Sequence, residues 1–106
     1  MRALTIAFLT GAAVALASAP LLAQQAARVT IASFKFGPEN VSASAKAPIT
    51  WTNKDGAPHQ VVVASKNLKT AVLNNGQSGQ LSIAEPGSYD YVCGIHPNMK
   101  GKIVVR

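Results

Sequence analysis

The stretch Tyr89-Asp-Tyr-Val-Cys93-Gly-Ile-His96-Pro-Asn-Met99-Lys-Gly-Lys-Ile103-Val-Val105 decides how the chain reads. Tyr89, Tyr91 and Cys93 fall at every second position, so they share one face of a strand. Ile103 and Val105 share a face of the next strand. Between the two, Gly94 permits a sharp turn, and Pro97 blocks helical propagation and stiffens the loop. The chain has 1 Cys, 2 His and 2 Met in 106 residues, and Cys93, His96 and Met99 all lie in this loop. The other histidine, His59, follows Pro58 and sits in phase with Val61 and Val63 at the start of a different strand.

Working outward, the remaining apolar clusters are short: Arg28–Phe36, Val41–Ser44, Pro48–Asn53, Gln60–Ser65, Leu68–Leu73 and Ser78–Ala84. Gly37-Pro38, Asp55-Gly56, Asn75-Gly76 and Pro86-Gly87 separate them, and such pairs mark turns. Ile49 and Trp51 share a face. In the first cluster Val29 and Ile31 are in phase, while Phe34 and Phe36 are one residue out. Because strand period is two, that shift predicts a bulge near Ala32–Ser33 or a strand that changes sheets. Tyr89, shortly after Pro86-Gly87, is placed to form a tyrosine corner. No stretch of 24–106 sustains a helical apolar pattern. The expected fold is all-β, a Greek-key β-sandwich of seven to eight strands.

Residues 1–23 read differently. Arg2 precedes a mostly apolar run, with Ser18, Pro20 and small residues after it, the order of an export signal cleaved after Ala23. A spanning helix needs about 20 uninterrupted apolar residues, and Thr10, Gly11, Ser18 and Pro20 interrupt this one. The expectation is an exported, periplasmic protein without stable membrane insertion. Its single domain occupies 24–106 and is a monomer. A domain of that size buries only about 60–65% of its unfolded surface, so it profits from a staple. One Cys excludes an intramolecular disulfide and any zinc site with two thiolates. A metal on a mixed donor set remains.

The formal net charge of +6 suggests a nucleic-acid binder at first sight. The lysines, however, are scattered without a dense run or interleaved aromatics, and nucleic acid is not an expected partner. Lys100 and Lys102 follow the Cys93–Met99 loop and suit steering of an acidic partner.

His59, Cys93, His96 and Met99 supply two imidazoles, a thiolate and a thioether, the donor set of a blue-copper electron-transfer site. The thiolate donates strongly to the metal, the imidazoles satisfy both copper oxidation states, and the weak thioether favours Cu(I). A Cys–His nucleophile pair is the catalytic rival, but no third orienting residue is evident and little room remains for a substrate cleft. The chain is therefore expected not to be an enzyme.

The quoted segment strongly resembles the C-terminal end of the cupredoxins. Its short Cys-x2-His-x2-Met spacing with His-Pro is most similar to the amicyanins; pseudoazurins and plastocyanins have a longer gap between His and Met. Pro58-His59-Gln-Val-Val, Ser33-Phe-Lys-Phe-Gly-Pro and Ile49-Thr-Trp-Thr-Asn are similar to earlier amicyanin strands. The resemblance implies one type 1 copper ion, held equatorially by His59, Cys93 and His96 through the Nδ1 atoms of both histidines, with Met99 axial. It implies single-electron shuttling between redox protein partners, a dehydrogenase or a cytochrome. The apolar residues Pro58, Ile95, Pro97 and Pro38 are the expected docking patch around the edge of His96. Copper storage or delivery without electron transfer is the alternative. Two departures stand out. Many cupredoxins place Asn after the first ligand histidine, where its amide braces the ligand loop, and Gln60 stands there. The Ser42–Pro48 stretch also lacks the Gly-Asp turn usual in that region.

Overall fold

A computed structural model describes residues 26–106; the expected export signal at 1–23 lies outside them. The described residues form nine strands in two sheets. They are β1 (Ala27–Ala32), β2 (Lys35–Gly37), β3 (Asn40–Ala43), β4 (Ile49–Asn53), β5 (Val61–Val63), β6 (Leu68–Lys69), β7 (Ser78–Leu81), β8 (Gly87–Cys93) and β9 (Lys100–Val105), with one 3-10 turn at Ala64–Lys66. One sheet runs β2-β1-β4-β7 and the other β3-β9-β8-β5-β6. The chain changes layers between β2 and β3, β3 and β4, β4 and β5, β6 and β7, and β7 and β8. Two parallel pairings, β1 with β4 and β3 with β9, follow from these crossings. Among the described residues, no helix is long and apolar enough to cross a membrane.

The alternation read from the sequence places the core. Ile49 and Trp51, Val61 and Val63, Tyr91 and Cys93, and Ile103 and Val105 all point inward and are buried. Trp51 meets Tyr91 edge-on, with ring centroids 5.4 Å apart. Burial pushes the Tyr91 hydroxyl up to about 12. Tyr89 donates from its hydroxyl to the Glu85 carbonyl at 2.7 Å, so the tyrosine corner forms.

The first cluster departs from expectation, and it carries the strand count from eight to nine. It contains neither a bulge nor a strand that changes sheets. Ser33 and Phe34, at φ 52 and 58, form a two-residue turn between antiparallel β1 and β2. Two positive φ values give the twist that closes a two-residue hairpin. The turn reverses the chain and sets Phe36 opposite Ile31, so both are buried, while Phe34 stays out at the tip with 50% exposure. In the segment lacking Gly-Asp, Lys46 takes the left-handed conformation at φ 71, and the Ala47 N–H closes the turn onto the Ser44 carbonyl at 3.0 Å.

Candidate metal centre

The sandwich brings three of the four expected donors to one end. Cys93 closes β8 and pairs across the sheet with Val61 of β5, the strand that begins two residues after His59. His59 itself forms an isolated antiparallel bridge with Leu73, its N–H donating to Leu73 at 3.0 Å and its carbonyl accepting at 2.7 Å. The loop after Cys93 is tied back on itself. The Cys93 N–H donates to the Met99 carbonyl at 3.0 Å, and the Met99 N–H donates to the His96 carbonyl at 2.9 Å. Met99 is buried within the core cluster at the root of this loop.

The donor atoms form a small triangle. Cys93 Sγ lies 3.7 Å from His59 Nδ1 and 3.7 Å from His96 Nδ1, and the two Nδ1 atoms are 3.2 Å apart. A point equidistant from all three lies about 2 Å from each, the length of bonds from histidine nitrogen and cysteine sulfur to a first-row metal. The chemistry fits as well. Two imidazole nitrogens and a thiol sulfur converge on one point, His59 and Cys93 are fully buried, and His96 is half-buried. A hydrogen-bond network alone gives no reason for two ring nitrogens and a sulfur to face one another in this way.

Each corner is fixed by a different device. The Gln60 backbone N–H donates to Cys93 Sγ at 3.4 Å, and the Gly94 N–H donates to the Gln60 carbonyl at 3.0 Å. The Gln60 side chain turns away, its Nε2 donating to the Thr70 carbonyl at 2.9 Å. The Gln60 amide thus braces Thr70, the residue after β6, while the loop after Cys93 is held by the Gln60 backbone. A Cβ at Gly94 would overlap the Gln60 amide oxygen, so a side chain there would have to displace the Gln60 amide from its place beside Thr70.

Asp55 is the residue the sequence concealed, because Asp55-Gly56 reads as turn punctuation. Its Oδ2 accepts from His59 Nε2 at 2.8 Å. A carboxylate only accepts, so Nε2 carries the proton and the Nδ1 lone pair faces the triangle. The same carboxylate accepts the Phe34 N–H at 2.8 Å and the Ser33 N–H at 2.7 Å. The Phe34 amide, helped by His59, holds the Asp55 carboxyl below the usual carboxylate range against the opposing pull of desolvation. Buried Asn53 sets the loop beneath it. Its Nδ2 donates to the Ala57 and Leu73 carbonyls, and its Oδ1 accepts the Asp55 N–H, all at 2.8 Å. Asp55 thereby supplies an orienting residue for a Cys–His pair, which the sequence did not reveal. Cys93 nevertheless lies fully buried, with its sulfur facing two imidazoles and the Gln60 amide, a setting suited to a ligand rather than an accessible nucleophile.

A family model described as the cupredoxin-like domain matches residues 4–105. The chain belongs to the cupredoxin-like family. Amicyanin-alpha of Methylorubrum extorquens is 38% identical over 107 residues, covering 96% of this cupredoxin-like chain and 87% of that protein. Amicyanin of Paracoccus denitrificans is 34% identical over 83 residues, and the alignment covers 74% of this chain but 63% of that protein. A solved structure of the reduced state of an amicyanin mutant matches with a TM-score of 0.70 at 35% identity, covering 76% of this chain and 82% of that one. The sequence resemblance to cupredoxins, and to amicyanins among them, therefore holds at the level of both family and fold.

The surface over this cupredoxin-like site is apolar. Phe34 meets both histidines edge-on, its ring centroid 5.1 Å from that of His59 and 5.0 Å from that of His96. Ile95 is 42% exposed, and Pro58 and Pro97, next in sequence to the two histidines, are exposed as well; Pro38 is exposed just past the end of β2. Lys35 and Lys100 line an open groove of about 420 Å³ beside this patch, with Phe36, Glu39 and Met99. Lys102 faces Asp90 at 3.6 Å in a largely exposed pair.

Proposed function

We propose that this chain is an exported blue-copper electron carrier in which His59, Cys93 and His96, with Met99, would hold one copper ion. The single observation that carries the reading is the convergence of two Nδ1 atoms and one Sγ within 3.7 Å of one another. Copper bound there supplies a one-electron Cu(II)/Cu(I) couple. The protein's part is to hold the donors in one arrangement. Sheet pairing fixes Cys93, a backbone bridge and a carboxylate fix His59, and the tied loop fixes His96. A site preset in this way limits the rearrangement that accompanies each electron.

Electrons enter and leave at His96, the half-buried corner, through the apolar patch of Phe34, Pro58, Ile95 and Pro97. Weak redox encounters use small interfaces, so a patch of this kind suffices. Lys35 and Lys100 at its margin favour an acidic face on the redox partner, a dehydrogenase or cytochrome. Lys102 adds less, since Asp90 stands opposite it. No substrate is transformed. Residues 1–23 serve as the export signal that delivers the 24–106 domain to the periplasm.

The test is to add Cu(II) to purified 24–106 protein and record the visible spectrum. An intense blue thiolate-to-copper band that disappears in Cys93→Ala is the expected result. A colourless complex that retains only Cu(I) would replace the electron carrier with copper storage or delivery.

A further inference from the structure

We propose that Asp55 is a positioning residue that governs the copper centre from outside it, by polarising His59 and by locking Phe34 across both imidazoles. The inference rests on the copper reading above and adds a residue to it.

The geometry is specific. One carboxylate holds three donors: Oδ1 accepts the Ser33 N–H at 2.7 Å, and Oδ2 accepts the Phe34 N–H at 2.8 Å and His59 Nε2–H at 2.8 Å. Its side chain is only 14% exposed, so water competes weakly for these bonds. Asp55 is itself anchored on both sides of its backbone. Its N–H donates to Asn53 Oδ1 at 2.8 Å, and its carbonyl accepts from Asn75 Nδ2 at 2.8 Å. The carboxylate is thus a fixed post, and its partners adapt to it.

Two consequences follow for the centre. First, an anion hydrogen-bonded to Nε2–H pushes electron density toward Nδ1 and makes His59 a stronger donor. A stronger donor favours the more highly charged metal, so Asp55 favours Cu(II) and lowers the reduction potential. Second, Ser33 and Phe34 occupy the left-handed region at φ 52 and 58, which residues with a side chain disfavour. The two charge-assisted bonds from their amides to Asp55 offset that cost. They hold the Phe34 ring against His59 and His96, where it limits the approach of water to the pair. Asp55 therefore couples the electronic tuning of one ligand to the cover over both.

The experiment compares wild type, Asp55→Asn and Asp55→Glu as full folded domains. Asn is nearly isosteric but neutral, and its amide nitrogen cannot accept an N–H. For D55N the expected results are a retained blue band, a raised reduction potential and a Cu(II) affinity about 10–100-fold weaker. Amide exchange at Ser33 and Phe34 in the copper-free protein should quicken at least about tenfold, reporting one broken bond. D55E restores the charge and is expected to recover the potential toward wild type. A blue D55N with unchanged potential and affinity, or unchanged exchange at Ser33 and Phe34, would overturn the proposal. If D55N does not fold, nitrogen-resolved NMR of wild-type copper-free protein decides instead. A slowly exchanging Nε2–H on His59 supports the clasp, and an Nδ1–H tautomer overturns it. If wild type takes up no Cu(II), the copper reading fails, whereas a wrong tautomer in a blue protein condemns the role of Asp55 alone.

Discussion

His59 and His96 occupy equivalent corners of one triangle, yet the protein holds them in opposite ways. His59 is fully buried, bridged through its backbone to Leu73 and bonded through its side chain to a carboxylate that is itself anchored. His96 sits half-buried on a loop secured by backbone bonds among Cys93, His96 and Met99, between exposed Ile95 and Pro97. One corner is built to stay put and the other to be reached. An electron carrier needs both: a ligand set that does not rearrange, and one edge close enough to a partner for electrons to cross.

The contrast is broken most directly by deleting each imidazole. His59→Gly and His96→Gly should each weaken copper binding by more than about 100-fold, beyond what loss of an outer partner costs. Added imidazole is expected to restore the blue band in His96→Gly, where the corner opens to solvent. His59→Gly should remain colourless under the same conditions, because its corner is sealed. Equal rescue of both variants in a spectral titration would remove the distinction.

The next effect sharpens the contrast between the site and the sandwich beneath it. Ile103 is fully buried in β9. Ile103→Ala should cost about 2–5 kcal/mol in denaturant unfolding and lower Tm, with the copper spectrum unchanged in the folded fraction. A shifted spectrum without lost stability would mean that core packing and ligand placement are not separable.

A smaller effect lies two residues before Cys93, on the same strand face. Tyr91 is neutral in the fold up to about 12, raised by burial from 10.0. The folded state therefore keeps a proton that the unfolded chain releases first, so stability is full below about pH 10 and falls as pH rises toward 12. The loss amounts to roughly 2–3 kcal/mol at the upper end. Among the described residues the Tyr91 hydroxyl has no hydrogen-bond partner, so Tyr91→Phe should be nearly neutral at pH 7 and abolish this alkaline phase. Unfolding curves across pH 9–12 check both halves.

The smallest effect concerns the reachable corner. Lys100→Glu should slow electron exchange with an acidic partner by a few-fold at low salt, and the difference should vanish at high ionic strength. An effect that persists in high salt would argue for a direct contact rather than steering.

What the sequence revealed and what it concealed divide along a physical line. Ile49 and Trp51, Val61 and Val63, or Ile103 and Val105 could be assigned to inward faces because alternation is a local signal. His59, Cys93, His96 and Met99 could be picked out as candidate donors because the domain holds so few residues of those types, and the first three converge. The Ser33-Phe34 turn could not. It contains no glycine or asparagine to announce positive φ, and the group that stabilises it stands 21 residues away from Phe34 at Asp55. The same distance hid Asp55, whose partners are separated in sequence and meet only after β1, β2 and β4 pack into one sheet. Contacts that depend on sheet assembly leave no local trace in the sequence.

The central claim is that one metal sits among His59 Nδ1, Cys93 Sγ and His96 Nδ1. Copper-edge X-ray absorption on the loaded protein tests it most directly. The account predicts one short copper–sulfur bond and two copper–nitrogen bonds in wild type, with the sulfur contribution gone in Cys93→Ala. A copper environment of nitrogen and oxygen alone in wild type, or one unchanged by Cys93→Ala, would contradict it.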